Sequence, residues 1–164
     1  MLGRRRRRRG ERGASAVEFA LVVPILVALL LGILDYGIIF TDSVSTRNGV
    51  REAARKGVVS NFGTGSCSGT TMASLACQTK KEIDSLSGTL PKVKVYAPGG
   101  WIKGKPLIVC SVILDPGVIN FVPTPADVKS RVELSIETAT APTTGGLTYA
   151  DPGYTWPSGA SSWC

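Results

Sequence analysis

Four cysteines, a glutamate at the edge of a long apolar run and a complete lack of histidine set the chemistry open to this chain. Cys67, Cys77, Cys110 and Cys164 contain no C-x-x-C pair, and without histidine the usual zinc-ligand spacings are missing, so no metal is expected. An even count of cysteines in an exported region reads instead as two disulfides. Serines and aspartates fall in loops or at helix ends with no nucleophile elbow, and no phosphate-cradling glycine motif follows a strand. The reading is therefore of a protein that is not an enzyme, with no cofactor and no small-molecule substrate.

Glu18 is the residue that needs explaining. From Phe19 to Leu34 the stretch FALVVPILVALLLGIL has no charge, and Ala14 to Leu34 spans 21 residues, against the ~20 that cross a bilayer as a helix. A cleaved secretory signal has an apolar core of only ~7–15 residues and a small-residue exit; here LDYGIIF prolongs the run, which favours an anchor. Seen alone, Glu18 would be an interfacial carboxylate reaching headgroups and water. Asp35, the second acid bounding the uncharged stretch, is expected to mark the outer interface, and Pro24 interrupts the helical ladder within it.

The net charge of +7 is concentrated at the start: the run Arg4 to Arg9 with Arg12, less Glu11, accounts for +6. Only +1 remains after Gly13, which removes the electrostatic support for a nucleic-acid partner. The arginine run reads as a topology signal, placing residues 1–13 in the cytoplasm and the chain from about Thr41 outside.

The elements that must position these residues follow from periodicity. One helix is expected over about 14–59: a transmembrane part at 14–40 and an amphipathic extension at 41–59, whose apolar stripe is Phe40, Val44, Val50, Ala54 and Val58. A Gly/Ser loop, residues 61–70, ends it. A second helix fits 71–86, with Met72, Leu75, Ala76, Thr79, Ile83 and Leu86 on one stripe and Cys77 off it. Strands are expected at 91–97, 106–114 and 130–138; the first and third alternate, and the middle one is apolar on both phases and so central. The fold class is α+β: a long membrane-spanning helix continuing into a small outer domain, 60–164, with a second helix over one face of a short antiparallel sheet of three to four strands.

The last stretch, 141–164, has no periodicity but ends on a cysteine. It is expected to be tied back to the sheet through Cys164, with Tyr149, Tyr154, Trp156 and Trp163 as contacts. Because Cys77 points off the core toward the neighbouring loop, the favoured pairing is Cys67 with Cys77, leaving Cys110 for Cys164.

The order of residues around Glu18 adds a family resemblance. A basic leader, Gly13, the small residue Ala14, Glu18 as the fifth residue after that glycine, aromatic Phe19 and then the apolar helix resemble the prepilin processing site of type IV pilins. Within these, ASAVEFALVVPILVALLLGILDYG is similar to the TadE-like proteins of the tight-adherence (Flp/Tad) pilus and secretion system. The resemblance covers about residues 10–59. It implies cleavage after Gly13 by a prepilin peptidase on the cytoplasmic face, an assembly role for Glu18, Phe19 and Pro24, and a minor pilin or pseudopilin working in pilus assembly and adhesion. The partners it implies are the membrane, other Tad/Flp pilins and pseudopilins, the peptidase and the Tad assembly platform. The location it implies is the bacterial inner membrane, N-terminus inside and outer domain extracytoplasmic, with association to the pilus at the cell surface. The alternative is an uncleaved, single-pass envelope protein whose outer domain binds a ligand or the cell wall.

Overall fold

The computed structural model describes residues 11–63, 65–83, 88–114, 116, 123, 127–142, 146–158 and 162–164. They form a long helix α1 (Glu11–Val58), a 3-10 turn (Gly65–Cys67), helix α2 (Met72–Glu82) and strands β1 (Lys92–Tyr96), β2 (Pro106–Leu114), β3 (Asp127–Ser135) and β4 (Thr148–Ala150). The architecture is α+β, with both helices packed on a four-stranded antiparallel sheet of order β3-β2-β1-β4.

Helix α1 has 48 residues and is about 72 Å long at 1.5 Å per residue. Its helical path continues through Pro24, whose ring removes the backbone donor to Ala20. It ends because Ser60 adopts a left-handed φ of 61°. The Ser60 amide then donates to Gly57 O at 2.8 Å and the Asn61 amide to Lys56 O at 2.9 Å, the two bonds of a Schellman stop. Ser60 takes the place usually held by glycine, and its hydroxyl bonds Thr138 and the Thr140 carbonyl, fastening the helix end to the chain beyond β3.

Two stretches of α1 do different work. The outer half docks on the sheet through Asp35, Ile39, Asp42, Thr46, Val50 and Ala53, all buried and spaced by three or four residues. Phe40 and Val44, expected on that stripe, face outward instead; Phe40 is 71% exposed. The cause is that the docked face carries Asp42 and Thr46 on those turns, polar residues that an apolar periodicity cannot reveal. Asp35, expected to bound the uncharged stretch, is enclosed by protein and opens the docked face.

Helix α2 starts at Thr71, whose Oγ1 accepts the Ser74 amide at 3.0 Å, and stops at Glu82 with Ile83 extended. It is therefore shorter than the expected 71–86; Leu86 lies outside the described residues. Two glycines let the helices close together. A Cβ at Gly57 would stand 2.7 Å from side-chain carbons of both Leu75 and Leu107, and one at Gly49 would collide with Ile83. Lys56 donates to Glu82 at 2.6 Å and Gln78 to the same oxygen at 2.7 Å. These bonds, that from Lys56 first, hold the Glu82 carboxyl below its ordinary range, while the Glu82 contact raises Lys56.

The sheet explains why its middle strand is apolar on both phases. Leu107, Val109 and Ile113 join Val93, Val95 and Val128 under the helices. Ile108 and Cys110 point to the other face, where Cys164, Trp156, Trp163 and Tyr96 form a second, smaller cluster. Strand β3 runs at 127–135, three residues earlier than expected but in the same phase, with Lys129, Arg131 and Glu133 outward. Strand β4, in a stretch without periodicity, pairs with β1 through Tyr149↔Val95.

Candidate assembly and anchoring site

The inner half of α1 presents an unpacked apolar surface. Glu18, Phe19 and Pro24 are exposed on it, with Phe19 at 71%. Leu21, Ile25, Leu29 and Ile33 are more than half exposed, on a helix long and apolar enough to cross a membrane by length and composition. In water such a surface would be strongly unfavourable; in lipid or between like helices it is satisfied.

Gly13, Ala14 and Glu18 are brought onto the first turns of this helix. Four residues separate Ala14 from Glu18, so the two share a face about 6 Å apart along the axis. Gly13 has no steric need to be glycine, since a Cβ there would meet nothing within 4 Å. Glycine in a helix costs about 1 kcal/mol relative to alanine, so packing within the chain does not account for it.

The cysteines lie in the outer part of the fold and are all bonded: Cys67 to Cys77, and Cys110 to Cys164. The first ties the 3-10 turn to α2, and the second fixes the tail to the outer face of β2. Among the described residues no group of three or more His, Cys, Asp or Glu is arranged to hold a metal ion.

The feature that sequence reasoning missed is Asp151. Its side chain is 3% exposed and accepts from Lys80 Nζ at 2.6 Å, from the Tyr149 hydroxyl at 3.0 Å and from the Val93 amide at 2.8 Å. One carboxylate thus joins α2, β1 and β4. Burial first, and the bond to Asp151 next, push the Tyr149 hydroxyl up, keeping it a donor. Within the run "TYADPGY" the only signal was an aspartate before proline, which reads as a turn.

Against this geometry, comparison with known families singles out the long helix. Residues 13–55 match the family model of TadE-like protein. The TadE-like segment opens on Gly13 and closes on Arg55, so it takes in the free apolar half of α1 and nearly all of its docked half, and stops short of the loop into α2. No curated protein and no solved structure matches the chain. The TadE-like segment is thus the part of the molecule that carries the family signal, and the disulfide-tied sheet is carried on its outer end.

Proposed function

We propose that this chain is a minor pilin or pseudopilin of a Tad/Flp-type pilus in a bacterial inner membrane. Residues 1–13 form a cytoplasmic leader, α1 spans the bilayer through about residue 40 and extends to Val58, and residues 60–164 form the extracytoplasmic domain. A prepilin peptidase hydrolyses the Gly13–Ala14 amide, leaving a new ammonium at Ala14. The helix then packs laterally among other pilins on the Tad assembly platform, through Phe19, Pro24 and the apolar surface around them.

Glu18 has a defined part in this reading. On a bare apolar helix an acid is a liability in the bundle unless a cation meets it. The Ala14 ammonium of a neighbouring subunit supplies one, so the pair forms only at one axial stagger and sets register. The observation that carries the reading is the coincidence of the TadE-like match, beginning at Gly13, with a helix whose apolar half is exposed and has no packing partner among the described residues.

Substituting Glu18→Ala tests it. Breaking one partner of a buried ion pair costs ~3–5 kcal/mol, a factor of 100 or more in association. The variant should still fractionate with membranes and be lost from sheared pili. Undiminished recovery in the pilus fraction would leave the alternative, a permanently anchored envelope protein in which Glu18 is only interfacial.

A further inference from the structure

The sheet ends on β3, a strand of nine residues that pairs with β2 in an unbroken antiparallel register, from Asp127↔Leu114 to Ser135↔Pro106. Among the described residues no segment pairs with its other side, so alternate amides and carbonyls of a strand with neither bulge nor proline are left open. Natural sheets usually shorten, kink or cover such an edge, because it is a template for another strand. Helix α1 lies over β2 and β3, while α2 covers β1 and reaches β4. Gly49 and Gly57 turn α1 toward α2, and the exposed Arg47, Arg51 and Arg55 stand on its other flank, on the side of the open edge. Arg47 and Arg51 border one groove with Ser130 and Val132 of β3, and Arg55 borders the next with Leu134 and Val59. Among the described residues none of these three arginines is in an ion pair. The second groove also holds Glu52 and Glu137, so the unopposed positive charge lies at Arg47 and Arg51.

We propose that the β3 edge receives an extended acidic segment of another protein, added as a further strand beside the α1 arginines. Arg47 and Arg51 are one turn apart, about 6 Å along the helix, and side chains on one face of a strand recur every ~6.6–6.8 Å. Acids two residues apart on the added strand therefore each meet one guanidinium, whose forked donors suit a carboxylate. The residue two further along falls beside Val59, 48% exposed, and Leu134, where an apolar side chain fits. Strand β3 runs in the same sense as α1, since its first half borders Arg47 and its end borders Val58. An antiparallel partner thus reads, from its N-terminal end, apolar, any, acid, any, acid. With α1 spanning a membrane, a second copy held the same way up could bring its own β3 only in parallel, which sets Lys129 and Arg131 beside their like. Its other edge, β4, offers three residues without an acid. The occupant is therefore a different chain.

The test uses the full chain in detergent micelles and an acetylated, amidated nine-residue peptide of threonine, with valine at its third position and glutamate at its fifth and seventh. Slowed amide exchange along β3 reads strand addition, independently of peptide gathered by Arg4 to Arg9. Arg47→Gln with Arg51→Gln should weaken binding about 10-fold, and lysine in place of both peptide glutamates about 100-fold. Methylating the peptide amides that face β3 should abolish binding, because the backbone bonds supply the affinity. Lys103→Gln with Lys105→Gln, in the turn between β1 and β2, should leave it unchanged. Amide positions in β1 and β2 that match the parent report that each variant is folded. Equal binding of the glutamate and lysine peptides, binding that leaves β3 exchange unaltered, or no binding at millimolar peptide each overturns the site. Amides of β3 that slow with rising protein concentration and no peptide identify a second copy as the occupant and overturn the acidic partner. The edge site does not require the cut between Gly13 and Ala14, so its failure leaves the pilin reading standing.

Discussion

At Asp151 a single carboxylate closes three elements, yet nothing in its sequence context announced it. Aspartate before proline is common turn chemistry, and its value here comes from partners 58 and 71 residues away, Val93 and Lys80. Such partners are visible only after the tail has folded across β1. Removing the carboxylate strands the Lys80 ammonium, the Val93 amide and the Tyr149 hydroxyl together, so Asp151→Ala should destabilise the fold by ~3–5 kcal/mol. Thermal unfolding of the detergent-purified chain, followed by near-ultraviolet circular dichroism, reads that loss; a variant within ~0.5 kcal/mol of the parent would show that the three bonds are dispensable. Gly13 and Glu18 were legible for the opposite reason: their meaning lies in local order, a glycine, a small residue and an acid at the mouth of an apolar run, and local order is what a sequence displays directly.

Among the elements, β2 was the most legible of the strands, because burial on both faces demands apolar residues at both phases and neither β1, β3 nor β4 is so patterned. Helix α1 was legible in extent and only half legible in orientation. Val50, Ala54 and Val58 dock as their spacing indicates, but on the turns before them the docked side is Asp42 and Thr46 while Phe40 turns outward. A hydrophobic stripe identifies the core face only where water is the alternative; beside a membrane the apolar side faces lipid or neighbouring helices. Strand β4 escaped because three residues on a sheet edge are too few to show a period. The tail holding it is secured by Cys110–Cys164, which closes a sequence separation of 54, against 10 for Cys67–Cys77. By loop-closure entropy the longer bridge contributes about 4 kcal/mol and the shorter about 3. Cys164→Ser with Cys110→Ser should therefore lower the denaturant midpoint more than Cys67→Ser with Cys77→Ser, and should release the tail to proteolysis. The reverse order would mean that the tail is held by the Asp151 bonds and the aromatic cluster without its disulfide.

At the scale of the whole molecule, one continuous helix serves two environments: its first half offers a bare apolar surface and its second half is a structural beam of the outer fold. No break in the helix separates the two halves, so under the proposed function a stagger imposed on the apolar half would be carried along the helix into the sheet. Under the proposed function this helix is released for assembly by one cut, between Gly13 and Ala14. Intact mass and N-terminal sequencing of the membrane-extracted protein from its native host, with and without the prepilin peptidase, test it most directly. The account predicts a mature chain beginning at Ala14 that occurs only when the peptidase is present; a chain that keeps Arg4 to Arg9 in both strains would contradict it.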